Sequence, residues 1–274
     1  MERFAALSKC RHETGKESAQ VSNIRPRHRE WAMNDAHRTL GLAVPLAAVG
    51  GFLDAFTYVG HGHVFANAMS GNVVLTAIAL QRGDWDGADR TLSAIAAFLV
   101  GVGAANAIRL PMVSRVIRRP HITALLVELI LLVVIGMAPR GASDDTIVLC
   151  VTFVAAVQTS TFRQLGDWAF TSTMSTGNLR SLADAIVDWM TGRNALDARK
   201  IAHFGLVCLA FFFGALTGDV STVRWGDSAA LAAATLVAIC VILLWQRTHS
   251  FVPTGRTMRG MRARTFDPSQ ERAS

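Results

Sequence analysis

Apolar residues along this chain gather in long unbroken blocks instead of alternating or recurring on one helical stripe. Six blocks stand out, at Leu40 to Val59, Thr91 to Leu110, Ile122 to Ala138, Thr146 to Leu165, Ile201 to Val220 and Ala229 to Trp245. Each approaches the ~20 residues that carry an α-helix across about 30 Å of hydrocarbon, so the pattern predicts six membrane-spanning helices. Two further blocks, Val64 to Gln81 and Trp168 to Trp189, are apolar but interrupted by Gly, Asn, Ser and Thr. They carry one phrase written twice: FANAMSGNVVLTAIAL (Phe65 to Leu80) and FTSTMSTGNLRSLADAI (Phe170 to Ile186), with Asn72 and Asn178 lying 106 residues apart.

Composition agrees with a membrane protein. Of 274 residues, 51% are hydrophobic and 17% charged, and the mean hydropathy is +0.33, unusual for a soluble domain of this length. The net charge of +7 resides mainly in two basic tails, 1–39 and 247–274, which are expected to be disordered and cytoplasmic. The first tail has no apolar stretch of a secretory signal, and Met33 is a candidate start. Basic residues beside a first span are topology signals, so no nucleic-acid partner is expected. Three cysteines, Cys150, Cys208 and Cys240, lie inside apolar blocks and Cys10 in the tail, which gives no disulfide framework and no metal site. His61 and His63 resemble a metal pair, yet two ligands on a turn are too few.

Lysine and arginine in short loops are retained on the cytoplasmic side. If all eight blocks cross, these residues divide evenly between the two sides. If the two broken blocks dip in and return on the same side, Arg109, Arg115, Arg118, Arg119, Arg163, Arg193, Arg199 and Lys200 fall inside, against Arg82, Arg90, Arg140 and Arg224 outside. The second arrangement fits the rule and leaves both tails cytoplasmic. The expected fold is therefore an all-α membrane protein with six transmembrane helices plus two re-entrant half-helix segments. Each half, 40–138 and 146–246, then crosses an odd number of times, so the two halves form inverted repeats, as in many transporters. FLVGVGAA (Phe98 to Ala105) and FFFGALTG (Phe211 to Gly218) extend the duplication and align Gly101 with Gly214 as small residues that let helices approach.

In each repeat a polar lead-in (Phe65 to Met69, Phe170 to Ser175) is expected to descend to mid-membrane, where Ser70 or Thr176 caps a returning half-helix. Two such N-termini would bring unpaired N–H groups and positive dipole ends to one place. Gly71 and Gly177 permit close backbone approach, while Asn72 and Asn178 supply both donors and acceptors. The alternative is that the motif packs helix crossings and satisfies its own backbone.

The phrases GFLDAFTYVGHGHVFANAMSGNVVLTAIAL and VQTSTFRQLGDWAFTSTMSTGNL resemble the YoaK family of bacterial integral membrane proteins, also catalogued as domain of unknown function 1275. The likeness covers about Leu40 to Trp245, with Ser70 where the family commonly has Thr. It implies a multi-pass protein of the bacterial inner membrane, in a family sometimes labelled permease with no established substrate.

Ionisable groups in apolar spans are costly and mark function. Asp54 in the first span, with Gln158 at the equivalent place in the second repeat, is expected to face a pore or to cap a half-helix. Glu128 is a candidate for proton coupling or for pairing with Arg109, Arg163 or Arg180; Arg180, two residues past the second Gly-Asn, can reach the same cavity. The expected substrate-binding set is Asp54, Ser70, Gly71, Asn72, Gln158, Thr176, Gly177, Asn178 and Arg180. No hydrolase, zinc-protease or phosphate-loop motif occurs in the sequence, so no enzyme, cofactor or metal is expected. The function expected is a channel or transporter for a small polar or anionic solute, in contact with the lipid bilayer. A non-transporting assembly partner and an intramembrane enzyme stay open as alternatives, and so does a homo-oligomer.

Overall fold

The computed structural model describes residues 39–108, 110–114, 117, 119–138, 143–165, 168–169, 175–192 and 197–249. Most of both basic tails, the 170–174 lead-in and five arginines of the charge count (Arg109, Arg115, Arg118, Arg140 and Arg193) lie outside these residues.

Helix dominates what is described. The long helices are α1 Leu40–Gly60, α2 Met69–Arg82, α3 Trp85–Ala107, α4 Pro120–Met137, α5 Asp144–Thr161, α6 Ser175–Met190, α7 Asp197–Trp225 and α8 Ala230–His249. A one-turn helix, Pro111–Ser114, precedes α4, and a 3-10 turn, Gly226–Ala229, joins α7 to α8. Gln164–Leu165 and Trp168–Ala169 pair as a two-residue antiparallel ladder.

Local chemistry sets several boundaries. The third helix starts at Trp85, ahead of the expected Thr91, because Asp84 caps it: the Gly87 N–H donates to Asp84 Oδ1 at 2.9 Å. Pro120 opens α4, where its missing N–H costs nothing. Gly83, at φ 71°, stops α2 in the left-handed conformation that glycine adopts without strain, and Gly192, at φ 67°, follows α6 in the same way.

Four stretches are long and apolar enough to cross a membrane: Leu40–Gly60, Trp85–Ala107, Pro120–Met137 and Ala198–Gln246. The last takes in α7, the 3-10 turn and α8. The chain is thus a helical multi-pass membrane protein. The helix α5, expected as a span, is not among the four, since Asp144, Asp145 and Gln158 dilute its apolar run. It is nevertheless central, with Val151, Val154, Ala155 and Ala156 all buried. They join a core built from Leu46, Val49, Phe52 and Leu53 of α1, Leu125 and Leu132 of α4, and Val237 and Leu244 of α8. Outward faces stay apolar, with Leu92, Leu99 and Val100 on α3 and Leu209, Phe212, Phe213 and Leu216 on α7 exposed, as hydrocarbon requires.

Helix pairing follows small residues. The closest pair is α1 with α7. A Cβ at Gly51 would run into the Phe211 carbonyl oxygen, one at Gly214 into that of Ala48, and one at Gly218 would lie 2.6 Å from that of Phe52. On the other side α3 packs on α5, where a Cβ at Gly101 would sit 2.6 Å from the Phe153 carbonyl oxygen. Gly101 and Gly214 thus have like roles on different partners. Further pairs are α2 with α3, α6 with α7, and α4 with α8.

Polar contacts tie one end of the bundle together. His61, just past α1, lies with Nδ1 2.9 Å from Asp144 of α5 and Nε2 3.8 Å from Asp227 of the α7–α8 turn. Arg90 of α3 donates from Nε to Asp145 at 2.8 Å. The C-terminus of α1 therefore meets the N-termini of α3 and α5, so α1 and α5 run antiparallel. At the opposite end the Arg119 guanidinium lies 5.1 Å from the ring centre of Trp245.

Candidate functional site

The segment between α1 and α2 turns back on α1. His61 and Gly62 sit beside Asp144 and Arg90 at the end of the bundle. Six residues later, Asn67 donates from its backbone N–H to Asp54 Oδ1 at 2.7 Å and from Nδ2 to the Gly50 carbonyl at 3.2 Å. The chain has by then travelled from the end of α1 to its middle, a distance of about 15 Å if measured along ten helical residues. From there α2 runs 14 residues, about 21 Å, and the turn at Gly83 leads into the N-terminus of α3, near the level at which the segment began.

Asparagine 72 holds this lead-in in place. Its Oδ1 accepts from the Phe65 N–H at 2.9 Å and its Nδ2 donates to the Phe65 carbonyl at 2.8 Å, so both polar ends of the amide are taken up by the backbone of one residue. The side chain is wholly buried. Its donor and acceptor satisfy the chain's own backbone, the alternative that the sequence had left open. One turn on, Thr76 donates to the Asn72 carbonyl at 2.8 Å and lies 2.7 Å from the Thr91 hydroxyl, binding α2 to α3.

The expectation that Ser70 caps α2 is corrected. The helix already begins at Met69, the residue before it is Ala68, and no side-chain cap is present. The reason lies in the lead-in: Met69 N–H bonds back to the Asn67 carbonyl at 2.9 Å, while Asn67 is anchored by Asp54. A carboxylate from α1 thus fixes the chain two residues ahead of α2, and the Ser70 hydroxyl is left in the first turn. The helix α6 likewise starts at Ser175, which puts Thr176 inside its first turn.

Both first-turn hydroxyl residues line one cavity of about 460 Å³. Its walls come from α1 (Asp54, Ala55, Tyr58, Val59), the lead-in and start of α2 (Phe65, Ala68, Ser70), Thr176 of α6, and α7 (Phe211, Ala215, Asp219). Of the expected binding set it gathers Asp54, Ser70 and Thr176. Gly71 packs against the Phe65 ring, since a Cβ there would come 3.0 Å from Cδ2. Asn178 is buried one turn into α6, while Gly177 and Arg180 are exposed and do not line the cavity.

Gln158 and Glu128 form a separate buried pair. In one orientation of the Gln158 amide Nε2 donates to the Leu46 carbonyl at 3.4 Å. In the swapped orientation its nitrogen faces Glu128 Oε1 at 2.7 Å. Glu128 is 0% exposed. In that orientation its neighbour is an amide on α5; of the arginines considered from sequence as partners, Arg109 lies outside the described residues.

Two cavity residues escaped the sequence reading. Tyr58 stacks on Phe65, ring centres 4.7 Å apart, and Asp219 lies near the end of the predicted span on α7. The signal for Asp219 was available: it is an acid inside a predicted span, one residue past Gly218, where the aligned first repeat has Asn106. The two histidines diverge, His63 bonding through Nδ1 to the Tyr58 carbonyl at 2.9 Å. Among the described residues no group of three or more His, Cys, Asp or Glu side chains could hold a metal.

No curated protein and no solved structure matches the chain. One family model does match, over residues 42–244, which runs from the first turn of α1 into α8 and takes in the whole cavity. That span also contains both Gly-Asn phrases, and with it the chain belongs to the DUF1275 family, proteins of unknown function.

Proposed function

We propose that this protein carries a small polar solute across a bacterial inner membrane, with the cavity between the starts of α2 and α6 as its solute site. The observation that carries the reading is that Ser70 and Thr176, matching residues of the repeated phrase, line the same cavity. Convergence of two duplicated helix starts on one space is the usual construction of a transporter's central site.

The membrane arrangement proposed with it has six crossings and two re-entrant segments in inverted repeats, with both termini cytoplasmic. The course of 61–68 back along α1 supports the first re-entrant segment. Helix pairing supports the duplication, since exchanging the halves turns α1·α7 into α5·α3 and α2·α3 into α6·α7 and leaves α4·α8 unchanged. The antiparallel course of α1 and α5 supports inversion. Among the described residues two carboxylates and no basic side chain line the cavity, which weighs against the anion among the solutes considered.

Flux into proteoliposomes tests the function, with a panel of small neutral, cationic and anionic solutes. Saturable uptake of one of them is expected, and a uniform leak equal to empty liposomes for the entire panel refutes it. Topology is tested separately on a cysteine-free background. Cysteines at His63 and Gly83 are expected to react from the periplasmic face and one at Ser114 from the cytoplasmic face. Labelling of Gly83 and His63 from opposite sides would make α2 a full crossing. A bismaleimide bridging Ser70→Cys and Thr176→Cys is expected to form within one chain and to stop flux; failure to form it separates the two helix starts.

A further inference from the structure

The cavity's walls combine two features that narrow the solute class. Asp54 and Asp219 bring two carboxylates to one space within the apolar part of the molecule, with no Lys, Arg or His among the described lining residues. Tyr58, Phe65 and Phe211 add aromatic faces, and the remaining polar groups are the hydroxyls of Tyr58, Ser70 and Thr176. Acids at membrane depth are costly unless a positive partner or a proton meets them. Aromatic faces beside carboxylates attract a diffuse organic cation, whereas a small, strongly hydrated ion needs a closer shell of oxygens than these apolar walls offer.

The duplication supplies an internal control. Asp54 corresponds to Gln158 and Asp219 to Asn106. Helices with equivalent packing thus carry amides at these positions on the α5/α3 side and acids on the α1/α7 side. Helix packing by itself therefore does not demand the acids. Asp54 also anchors the lead-in through the Asn67 N–H, but Asp219 is exposed on the cavity wall.

We infer that the cavity between α1, α2, α6 and α7 is a binding site for a small organic ammonium ion, held between the Asp54 and Asp219 carboxylates and the faces of Tyr58 and Phe65. The inference rests on the solute-site reading above and reverses the anion preference that helix N-termini alone suggested. With Asp54 already at the mouth of α2, the positive end of that helix faces a carboxylate of the chain itself.

Equilibrium binding of radiolabelled tetramethylammonium to the full-length protein in detergent tests this, with methylammonium, acetate and glycerol as competitors. Saturable binding displaced by methylammonium and unaffected by acetate is the result expected. Asp219→Asn and Tyr58→Leu are each expected to weaken binding by about tenfold or more, the size of a lost charge pairing or cation–π contact in the cavity. Asn106→Ala, on the equivalent face, is expected to leave it unchanged. Variants are compared only as monodisperse protein, and two independent wall positions guard against a folding defect at one. Absent tetramethylammonium binding, or acetate or glycerol binding in its place, overturns the ammonium assignment and leaves solute transport standing. Ammonium binding with no flux of any solute in liposomes upholds the site and refutes transport.

Discussion

Gly214→Val is expected to leave no monodisperse protein in detergent, the largest effect of any single substitution considered. Even a methyl group at Gly214 would overlap the Ala48 carbonyl oxygen, and Ala48 Cα and C lie 2.8 and 2.7 Å from the same point. These are backbone atoms of a buried helix, so no side-chain rotation can relieve the clash. Separating α1 from α7 would expose Ala43, Ala47 and Val207 and open the cavity wall made by Phe211 and Ala215. A loss above ~4 kcal/mol follows, beyond the usual range for an overpacked core. Gly103→Ala is the control: nothing lies within 4 Å of a Cβ there, and alanine favours helix by about 1 kcal/mol over glycine. Size-exclusion profiles and melting temperatures in one detergent read both. A Gly214→Val protein that elutes and melts like the parent would refute the close approach of α1 and α7.

Asn72→Leu comes second, with effects on both stability and flux. The substitution is nearly isosteric, yet it strips the partners from the Phe65 N–H and carbonyl, which are bonded at 2.9 and 2.8 Å. Each orphaned buried group costs about 1–3 kcal/mol, so the loss is about 2–6 kcal/mol. More of the effect falls on the lead-in than on the bundle, because α1, α4, α5 and α8 supply most of the main core and the lead-in adds only Ala66 to it. Amide exchange in 61–68 is expected to accelerate while that of α4 and α8 stays slow. Phe65 and Ala68 line the cavity, so their displacement is expected to abolish uptake in liposomes. Asn178→Leu, which removes the equivalent buried amide of α6, is expected to abolish uptake as well. Unchanged exchange and flux in Asn72→Leu would reduce the Gly-Asn phrase to sequence decoration.

Asn72 also shows what a reading from residue types leaves undecided. A polar residue inside an apolar block invites a functional reading, because lipid offers no partner for it. Asn72 meets that demand with the backbone of its own lead-in, and it is its neighbours Ser70 and Phe65 that line the cavity. Gln158 behaves similarly, facing Glu128 or the Leu46 carbonyl within the core. Spacing along a strand or helix tells that two residues share a turn, but not which carbonyl a side chain three or seven positions away will find. Asp219 went unnoticed for the opposite reason: it sits where a span nears its end, and acids there are commonly read as interfacial.

The sequence by itself determined what depends on summed local properties. Apolar block length announced a membrane protein and located most helices, and the repeated phrase located α2 and α6. Alignment of Gly101 with Gly214 found the residues that let helices touch, since only glycine permits backbone contact at that distance. Tertiary structure alone decided which helices those glycines join, that Asp54 meets the Asn67 N–H, and that Ser70, Thr176 and Asp219 share one cavity. Those outcomes depend on how helices distant in sequence are arranged around one another. The cost of burying an unpaired polar group then selects, among many local options, the one partner that packing brings within reach.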